Sequence, residues 1–363
     1  MSKRITLVIG GLRGGGAEKV CVTLANGFTA RGYDVELLVL SLNGSIRDNE
    51  LSPKVNLINL GVVHSRYSAL ALWRYLRSAH PDTILSFNRQ ISVVLGLIRK
   101  ITGLNFKLIS RNIIFLSIAE SNKKGIWHGF IANYLIRKFY SLSDLVIAQS
   151  HSMKDDLVSY LKLPKDQVIV INNPVCQQIT EHSVRKDSKL SKKDYLLCVG
   201  RLEAQKAFHY AIAAFAAVAF DRPTLRLKLV GKGSLESQLK AQAQTLGVAD
   251  RVDFDGYQTD MIPYYLGAKA TMLTSLYEGF PNVLVESIAL GTPVIAFDCP
   301  SGPREIVING RNGFLVPYKD QKALAKAIVK VSDLDWRLED VAQTAQAFRP
   351  DRIMKRYVDV LSP

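Results

Sequence analysis

Residues 275–294 read SLYEGFPNVLVESIALGTPV, an apolar run in which two carboxylates, Glu278 and Glu286, lie eight positions apart. The apolar side chains around them predict a buried helix that begins near Pro281 and ends before Gly291. A carboxylate in apolar surroundings is costly unless a partner binds it. The stretch therefore predicts either a structural ion pair or a ligand that these two acids hold.

The rest of the chain alternates between strand-like and helix-like segments, a pattern typical of a parallel sheet covered by helices. The first series of strand-like segments consists of ITLVIGG (5–11), DVELLVLSL (34–42), DTILSF (82–87), KLISRN (107–112), DLVIAQS (144–150) and VIVINNPV (168–175). After a polar, basic connector at 176–194, the second consists of YLLCVGRL (195–202), LRLKLVGKG (225–233), RVDFDGY (251–257), ATMLTS (270–275) and PVIAFD (293–298). Because ligands of open parallel sheets bind beyond the carboxyl ends of the strands, we expect the site in a cleft between two similar domains.

Composition narrows the class of protein. The 363 residues are 48% hydrophobic, which suits two filled cores. The four scattered cysteines have no metal-site spacing, so we expect reduced thiols and a cytosolic protein. The apolar start is too short for a signal peptide, and the longest apolar run, 210–220, is about half of what a bilayer span needs. We therefore expect no integral membrane segment.

The positive charge is concentrated in one half of the chain. Residues 1–180 carry 22 Lys and Arg against 11 Asp and Glu, whereas the remainder carries 25 against 21. A basic half indicates an anionic partner, which leaves nucleic acid, a phosphorylated substrate and an anionic membrane surface open.

Two stretches have the chemistry to bind phosphate. GGLRGGGAEKV (10–20) puts glycines between the first strand and a helix, where backbone amides meet an anion, although such turns also serve tight packing alone. It is neither a Walker loop nor a dinucleotide fingerprint, because the lysine of the former and the ribose-binding acid of the latter are missing. In YLLCVGRLEAQK (195–206), Arg201 and Lys206 follow the end of a predicted strand. Two cations at that position can neutralise a diphosphate. The alternative is that both are ordinary solvated loop charges.

A metal and a catalytic triad are both disfavoured. Asp253 and Asp255 resemble a metal-binding triplet, but they alternate with Val252 and Phe254, as on the exposed face of a strand. No third ligand is in view. The histidines show no paired spacing, and Ser150 next to His151 is not a nucleophile with its base.

Taken together, SLYEGFPNVLVESIALGTPVIA, GRLEAQK, GPREIVINGRNGFLV (302–316) and the early GGAE resemble a retaining glycosyltransferase of family 4. The resemblance implies two Rossmann-like domains facing a cleft, the arrangement called GT-B. They would be an acceptor-side domain at 1–178 and a nucleotide-sugar-binding domain at 179–344, with the terminal helix, 345–363, packing back on the first.

The resemblance also implies roles for particular residues. Glu286 would accept hydrogen bonds from the ribose, and Glu278 would contact the donor sugar, so both acids would be satisfied only when donor is bound. Arg201 and Lys206 would stabilise charge on the leaving diphosphate in place of a metal or other cofactor. The remaining donor-binding positions would be Gly15, Gly16, Gly200, Tyr257, Gly279, Phe280, Pro281, Asn282 and Val283.

One position departs from the pattern. Many relatives have a histidine that contacts the donor sugar, and the matching position here is Asn112. An amide can bind a hydroxyl but cannot carry a proton. Front-face attack, with the leaving phosphate accepting the acceptor's proton, remains compatible with Asn112, whereas a histidine-base mechanism does not.

Residues 121–142, SNKKGIWHGFIANYLIRKFYSL, combine apolar residues at helical spacing with flanking cations. Such a segment suits the interfacial plane of an anionic bilayer, but a helix of the core or cleft has the same pattern. The apolar positions are Trp127, Phe130, Ile131, Tyr134, Leu135 and Phe139, and the cations are Lys123, Lys124, Arg137 and Lys138.

The resemblance implies an enzyme that moves a hexose or N-acetylhexosamine from a nucleotide diphosphate, which we expect to be UDP, to a polyprenyl-diphosphate-linked glycan. Similar proteins build lipid-linked oligosaccharides, O-antigen or capsule in bacteria. We expect it to be cytoplasmic, peripheral on the inner face of the cell membrane, with no nucleic-acid partner. Two alternatives stay open: a GT-B enzyme with a soluble or nucleic-acid acceptor, and a nucleotide-sugar-binding protein without turnover.

Overall fold

The computed structural model describes residues 4–117, 128–183 and 192–361. They fall into two compact units, the first within 1–176 and 350–363 and the second within 177–349. Each unit is built around one parallel sheet.

In the first unit the described residues form a seven-stranded sheet in the order β3-β2-β1-β4-β5-β6-β7, with every neighbouring pair parallel. The strands are β1 (Arg4–Ile9), β2 (Asp34–Val39), β3 (Asn56–Asn59), β4 (Thr83–Ser86), β5 (Lys107–Arg111), β6 (Leu145–Ala148) and β7 (Val168–Val170). Its helices are α1 (Gly16–Thr29), α2 (Ala69–Ala79), α3 (Arg89–Thr102), α4 (His128–Phe139) and α5 (His151–Leu161). Because all strands run in one direction, their carboxyl ends share one edge.

Local sequence explains where these helices begin and end. The Asn88 side chain accepts hydrogen bonds from the Gln90 and Ile91 amides at the start of α3, and Gly103, at φ 71°, ends it. Ser150 caps α5 by accepting from the Met153 amide. Each cap satisfies backbone groups that a helix end leaves unpaired, so the polar residues after β4 and β6 have a structural role.

In the second unit the part of the chain that the structure describes forms a six-stranded parallel sheet in the order β10-β9-β8-β11-β12-β13. The strands are β8 (Tyr195–Val199), β9 (Arg226–Val230), β10 (Val252–Gly256), β11 (Ala270–Leu273), β12 (Val294–Phe297) and β13 (Gly313–Val316). Its helices are α6 (Gln177–Ser183), α7 (Phe208–Ala219), α8 (Glu236–Thr245), α9 (Ile262–Gly267), α10 (Asn282–Ala289), α11 (Pro303–Ile306), α12 (Gln321–Asp333) and α13 (Leu338–Gln343).

The last helix, α14 (Pro350–Leu361), belongs to the first unit. Its buried residues Ile353, Met354 and Tyr357 join the core cluster that contains Phe28 of α1. The Arg111 Nε at the end of β5 donates to the Tyr357 hydroxyl at 2.9 Å, and the guanidinium is 1% exposed. The chain thus leaves the first unit and returns to complete its core.

Every strand-like segment of the sequence forms a strand, and two strands were not predicted. These are β3 and β13, each of four residues and each at an edge of its sheet. A short edge strand needs no long apolar run, so its pattern is weak. No helix among the described residues is long and apolar enough to cross a membrane.

Candidate active site

The candidate site of the second unit lies at the carboxyl ends of β8 and β11, where two loops hold each other in place. The Leu276 amide donates to the Gln205 carbonyl at 2.8 Å, and the Gln205 side chain donates back to the Tyr277 carbonyl at 2.9 Å. These bonds keep Lys206, on the loop after β8, beside Glu278, on the loop after β11. Sequence spacing did not indicate Gln205.

Glu278 is buried and ion-paired in this structure. Its Oε1 lies 2.6 Å from the Lys206 Nζ and accepts a hydrogen bond from the Ser275 hydroxyl at 2.5 Å. The Glu278 side chain is 8% exposed and that of Lys206 15%. The expectation that this acid finds partners only when donor binds is therefore wrong. Glu278 thus has the ion pair that one of the two alternatives predicts, which does not exclude a ligand, and Lys206 is not a solvated loop charge.

Glu286 lies in the middle of α10 and is 7% exposed. Its Oε2 accepts a hydrogen bond from the Tyr265 hydroxyl of α9 at 3.0 Å. Glu286 too has a partner without donor, so the same expectation is wrong here. A carboxylate has about four acceptor positions, so a hydrogen bond from Tyr265 does not by itself exclude a ribose.

The helix that carries Glu286 begins one residue later than predicted, because Pro281 is its N-cap and Asn282 its first residue. The Asn282 amide donates to the Phe280 carbonyl at 3.0 Å. That amide makes this bond without donor, and its role at the donor stays a prediction. The Ser301 hydroxyl holds the turn by donating to the Gly279 carbonyl at 2.6 Å, and Val283 follows in the first helical turn.

The loops after β8 and β9 approach each other so closely that glycine is required in both. A Cβ on Gly231, at φ 148°, would lie 1.9 Å from the Gly200 carbonyl oxygen. Gly200 itself has φ 152°. This contact sets the position of Arg201, which is exposed and bonds weakly to the Gln205 side chain at 3.5 Å. Arg201 is free to turn towards an anion.

Two more residues follow neighbouring strands at this edge. Tyr257 comes directly after β10 and is 43% exposed. Lys232 comes after β9 and is exposed, with its Cε 3.8 Å from where a Cβ on Gly256 would lie. Sequence reasoning missed Lys232 as a third cation, although its place between two glycines at a strand end was an available signal.

Asp253 and Asp255 are bound by cations of the neighbouring strand. Asp253 pairs with Arg226 at 2.5 Å and with Lys228 at 2.9 Å, and Asp255 pairs with Lys228 at 3.3 Å. The hydrogen bond from Arg226 lowers the pKa of Asp253 to about 2. Both acids alternate along β10, as predicted, and act as partners within the sheet.

The glycine loop of the first unit is capped by its own helix. Gly15 is the N-cap of α1, and its amide donates to the Glu18 carboxylate. Gly16 is the first residue of the helix. An anion that uses the Gly15 amide must therefore displace the Glu18 side chain.

Asn112 follows β5 and is 2% exposed. Its side-chain Nδ2 donates to the Ile114 carbonyl at 2.6 Å, and its backbone carbonyl accepts from the Gln149 side chain at 3.0 Å. Gln149 also takes part in a buried group with Asn173, whose Oδ1 accepts from Arg111. The polar residues at the ends of β5, β6 and β7 thus hold Asn112 in one orientation.

The 121–142 segment is described only in part. Trp127, Lys123 and Lys124 lie outside the described residues, as do the side chains of Phe130 and Ile131. In the remainder of α4, Ile136 is buried in a core cluster of the first unit, and Phe139 packs against it. The cations turn outward: Arg137 stacks on Tyr160 at 4.4 Å, and Lys138 lies 5.7 Å from the ring of Tyr134, which is 58% exposed. This end of the segment is both a core helix and a basic surface.

Two protein-family models match the chain and together cover nearly all of it. The model described as Glycosyltransferase Family 4 matches residues 14–177, and the one described as Glycosyl transferases group 1 matches residues 180–348.

Individual proteins agree with the family match. An uncharacterised glycosyltransferase of Haemophilus influenzae is 27% identical over 86% of each chain. A Campylobacter jejuni enzyme is 27% identical over 94% of this chain and 93% of its own, and its name describes an N-acetylgalactosaminyltransferase acting on a diphospho-undecaprenol-linked glycan. The crystal structure of Anabaena HepE in complex with UDP superposes with a TM-score of 0.77 at 22% identity over 99% of each chain. This chain belongs to glycosyltransferase family 4 and has the GT-B fold.

Proposed function

We propose that this glycosyltransferase retains anomeric configuration, uses a UDP-linked hexose or N-acetylhexosamine and acts on a polyprenyl-diphosphate-linked glycan. The observation that carries the proposal is the buried Lys206–Glu278 pair at the carboxyl edge of the second sheet. A nucleotide-sugar donor has a diphosphate, which a cation binds, and sugar hydroxyls, which a carboxylate binds. Both groups are held together at the edge of the sheet where ligands of parallel sheets bind.

In the proposed reaction, the bond between the sugar's anomeric carbon and the diphosphate oxygen breaks while a bond to an acceptor hydroxyl forms on the same face. The hydroxyl proton goes to the departing phosphate oxygen. Lys206 and the exposed Arg201 stabilise the negative charge that grows on the diphosphate. Glu278 then accepts hydrogen bonds from the sugar, and Glu286 binds the ribose alongside the Tyr265 hydroxyl.

The proposed chemistry needs no metal. Asp253 and Asp255 are the acids that would bind a metal ion, and they already form ion pairs with Arg226 and Lys228. The cations at the site, Arg201 and Lys206, supply the positive charge that a divalent ion supplies elsewhere.

The proposed acceptor and location come from relatives and from charge. The name of the Campylobacter jejuni relative specifies a lipid-diphosphate-linked glycan, and HepE was crystallised with UDP. A polyprenyl-linked acceptor requires the enzyme to work at a membrane, and the excess of cations in residues 1–180 suits an anionic bilayer. We infer a peripheral position on the inner face of the cell membrane.

The test is a panel of UDP- and GDP-linked sugars, each with a short-chain polyprenyl-diphosphate glycan, a soluble glycan or no acceptor. Nucleotide release and the anomeric configuration of the product are measured. We expect transfer from one UDP-sugar to the lipid-linked acceptor, with retention, and loss of transfer in Lys206→Met. An inverted product contradicts the retaining reaction, and transfer only to soluble acceptors contradicts the lipid-linked one. Tight nucleotide-sugar binding without any transfer indicates a non-catalytic binding protein.

A further inference from the structure

One helix of the first unit leaves an apolar and basic side exposed. On α2, residues 70, 73, 74 and 77 follow the i, i+3, i+4, i+7 spacing of one helix side, and Tyr67 precedes them in a short 3-10 turn. Leu70 is 55% exposed and Tyr67 65%, while Leu72, Tyr75 and Leu76 of the opposite side are buried in a core cluster. We name Tyr67, Leu70, Trp73, Arg74 and Arg77 the α2 face.

The charge of this region has one sign. From residue 51 to residue 81 the chain contains no aspartate or glutamate, but it contains Lys54, Arg66, Arg74 and Arg77. Neither Arg74 nor Arg77 makes an ion pair with any residue that the structure describes, whereas Arg4 pairs with an acid on the same unit. The α2 face therefore presents uncompensated positive charge to solvent.

The apolar members are not isolated. The Arg77 guanidinium lies 5.2 Å from the centre of the Trp73 ring, which is half-buried and also packs against the core cluster beneath α2. Val63, in the loop that precedes the 3-10 turn, is 60% exposed. Elsewhere, large exposed side chains such as Phe220 and Ile101 stand singly, which is normal for a soluble surface. Aliphatic, aromatic and arginine side chains on one helix side are typical of an interfacial helix.

The size and chemistry of the α2 face select among partners. One side of a helix of 11 residues, about 16 Å long and about 10 Å wide, offers roughly 160 Å², well short of the roughly 800 Å² per partner of a stable protein interface. Nucleic acid offers phosphates to the arginines but nothing for exposed Leu70 and Val63 to enter. An anionic bilayer offers both, because headgroup phosphates meet the arginines while apolar side chains enter the acyl boundary.

We propose that the α2 face is the surface by which this protein lies on an anionic lipid bilayer. The inference rests on the proposed function, because it names where the enzyme contacts the membrane that carries its acceptor. It places the contact on residues separate from the 121–142 segment and from every residue of the candidate active site. The arginines supply a salt-sensitive attraction, and Tyr67, Leu70 and Trp73 supply an apolar one.

The experiment is co-sedimentation with phosphatidylglycerol-containing vesicles and with neutral phosphatidylcholine vesicles, at low and at high salt. The variants are Arg74→Gln with Arg77→Gln, and Tyr67→Ser with Leu70→Ser. The control, Lys100→Gln with Ile101→Ser, removes one exposed cation and one exposed apolar side chain at the end of α3 on the same unit. Circular dichroism melts establish that each variant is folded.

We expect the arginine variant to bind anionic vesicles about thirtyfold more weakly at low salt, since each of the two charges contributes about a fivefold change. The serine variant should lose about tenfold or more at either salt concentration, because the loss is of buried apolar area. The control should bind like the wild type. Transfer to a soluble acceptor analogue should be unchanged in all three variants.

Unchanged vesicle binding by both folded α2 variants overturns the proposal, and so does an equal loss in the control. Binding of the wild type to DNA rather than to vesicles overturns it as well, because the charge then serves nucleic acid. A wild type that binds anionic vesicles through the α2 face but transfers no sugar contradicts the proposed function and leaves the membrane surface supported.

Discussion

The Lys206 Nζ lies 2.6 Å from a carboxylate oxygen of Glu278, and both side chains are largely removed from solvent. The pair joins the loop after β8 to the loop after β11. Lys206 and Glu278, the two groups proposed to hold the donor, are therefore each other's counter-ion before the donor binds. Donor binding then exchanges one set of polar partners for another, without first burying a bare charge.

Replacing Lys206 with Met should lower both stability and turnover. Glu278 would keep the Ser275 hydroxyl but lose its cation, and breaking a buried pair costs about 3 kcal/mol or more. We expect kcat to fall about a hundredfold, with a smaller change in the donor KM, because the lysine acts on charge that appears in the transition state. Urea midpoints and donor kinetics measure both effects. The double variant with Glu278→Gln should recover stability but not turnover, and recovery of both contradicts the role at the diphosphate.

Glu286→Ala should weaken nucleotide binding. Two ribose hydroxyls lose a charged acceptor, which corresponds to about 1.5–3 kcal/mol. Calorimetry with UDP and GDP gives the loss directly. Tyr265→Phe is the matched control, because it removes the bond that Glu286 already makes and leaves the carboxylate in place. If UDP binds Glu286→Ala as tightly as the wild type, the ribose assignment is wrong.

Chelation should leave activity largely intact. EDTA removes divalent ions, but the proposed diphosphate partners are Arg201 and Lys206. Initial rates before and after EDTA, for the wild type and for Asp253→Asn with Asp255→Asn, test this. Complete loss that magnesium or manganese restores would reinstate a metal at these two acids.

Gly231→Ala should disturb the loop that carries Arg201. A Cβ would lie 1.9 Å from the Gly200 carbonyl oxygen, so the backbone must shift, at a cost of about 1–3 kcal/mol. Turnover should fall as well, since Gly200 precedes Arg201. Gly247→Ala is the control: its φ is 70°, but no atom lies within 4 Å of the added Cβ. Equal effects of the two substitutions on turnover would show that the close approach does not position Arg201.

The stability contributed by Asp253 should disappear in acid. The hydrogen bond from Arg226 lowers its pKa from the usual value to about 2 in the folded state. Because the folded pKa lies below the unfolded one, the contribution is complete above about pH 4 and is lost as the pH falls towards 2. Urea midpoints should therefore separate wild type from Asp253→Asn at pH 7 and converge near pH 2. A constant difference across that range contradicts the linkage.

Much of the architecture could be read from hydrophobic alternation, since buried parallel strands are almost continuously apolar. Strand β1 and strand β12 are clear for that reason. The edge strands β3 and β13 were missed because only part of each is covered by neighbours, so their side chains do not need to be uniformly apolar.

The partners within the candidate site could not be predicted in the same way. Lys206 and Glu278 are 72 residues apart, and this spacing does not predict that neighbouring loops bring the two side chains together. The alternatives of ion pair and ligand for Glu278 were both reasonable. The start of α10 follows from the backbone of Pro281, whose ψ of 85° is not helical and leaves it outside the helix as the N-cap.

The return of α14 to the first unit has a consequence for synthesis. Tyr357, which accepts the hydrogen bond of the buried Arg111, is translated only after the whole second unit has been translated. The nascent first unit therefore lacks the α14 side chains that pack against Phe28 of α1 and the hydroxyl that binds Arg111 until translation is nearly finished. Folding of the two units need not follow their order in the gene, and the core of the first stays incomplete until the last turns of the chain are made.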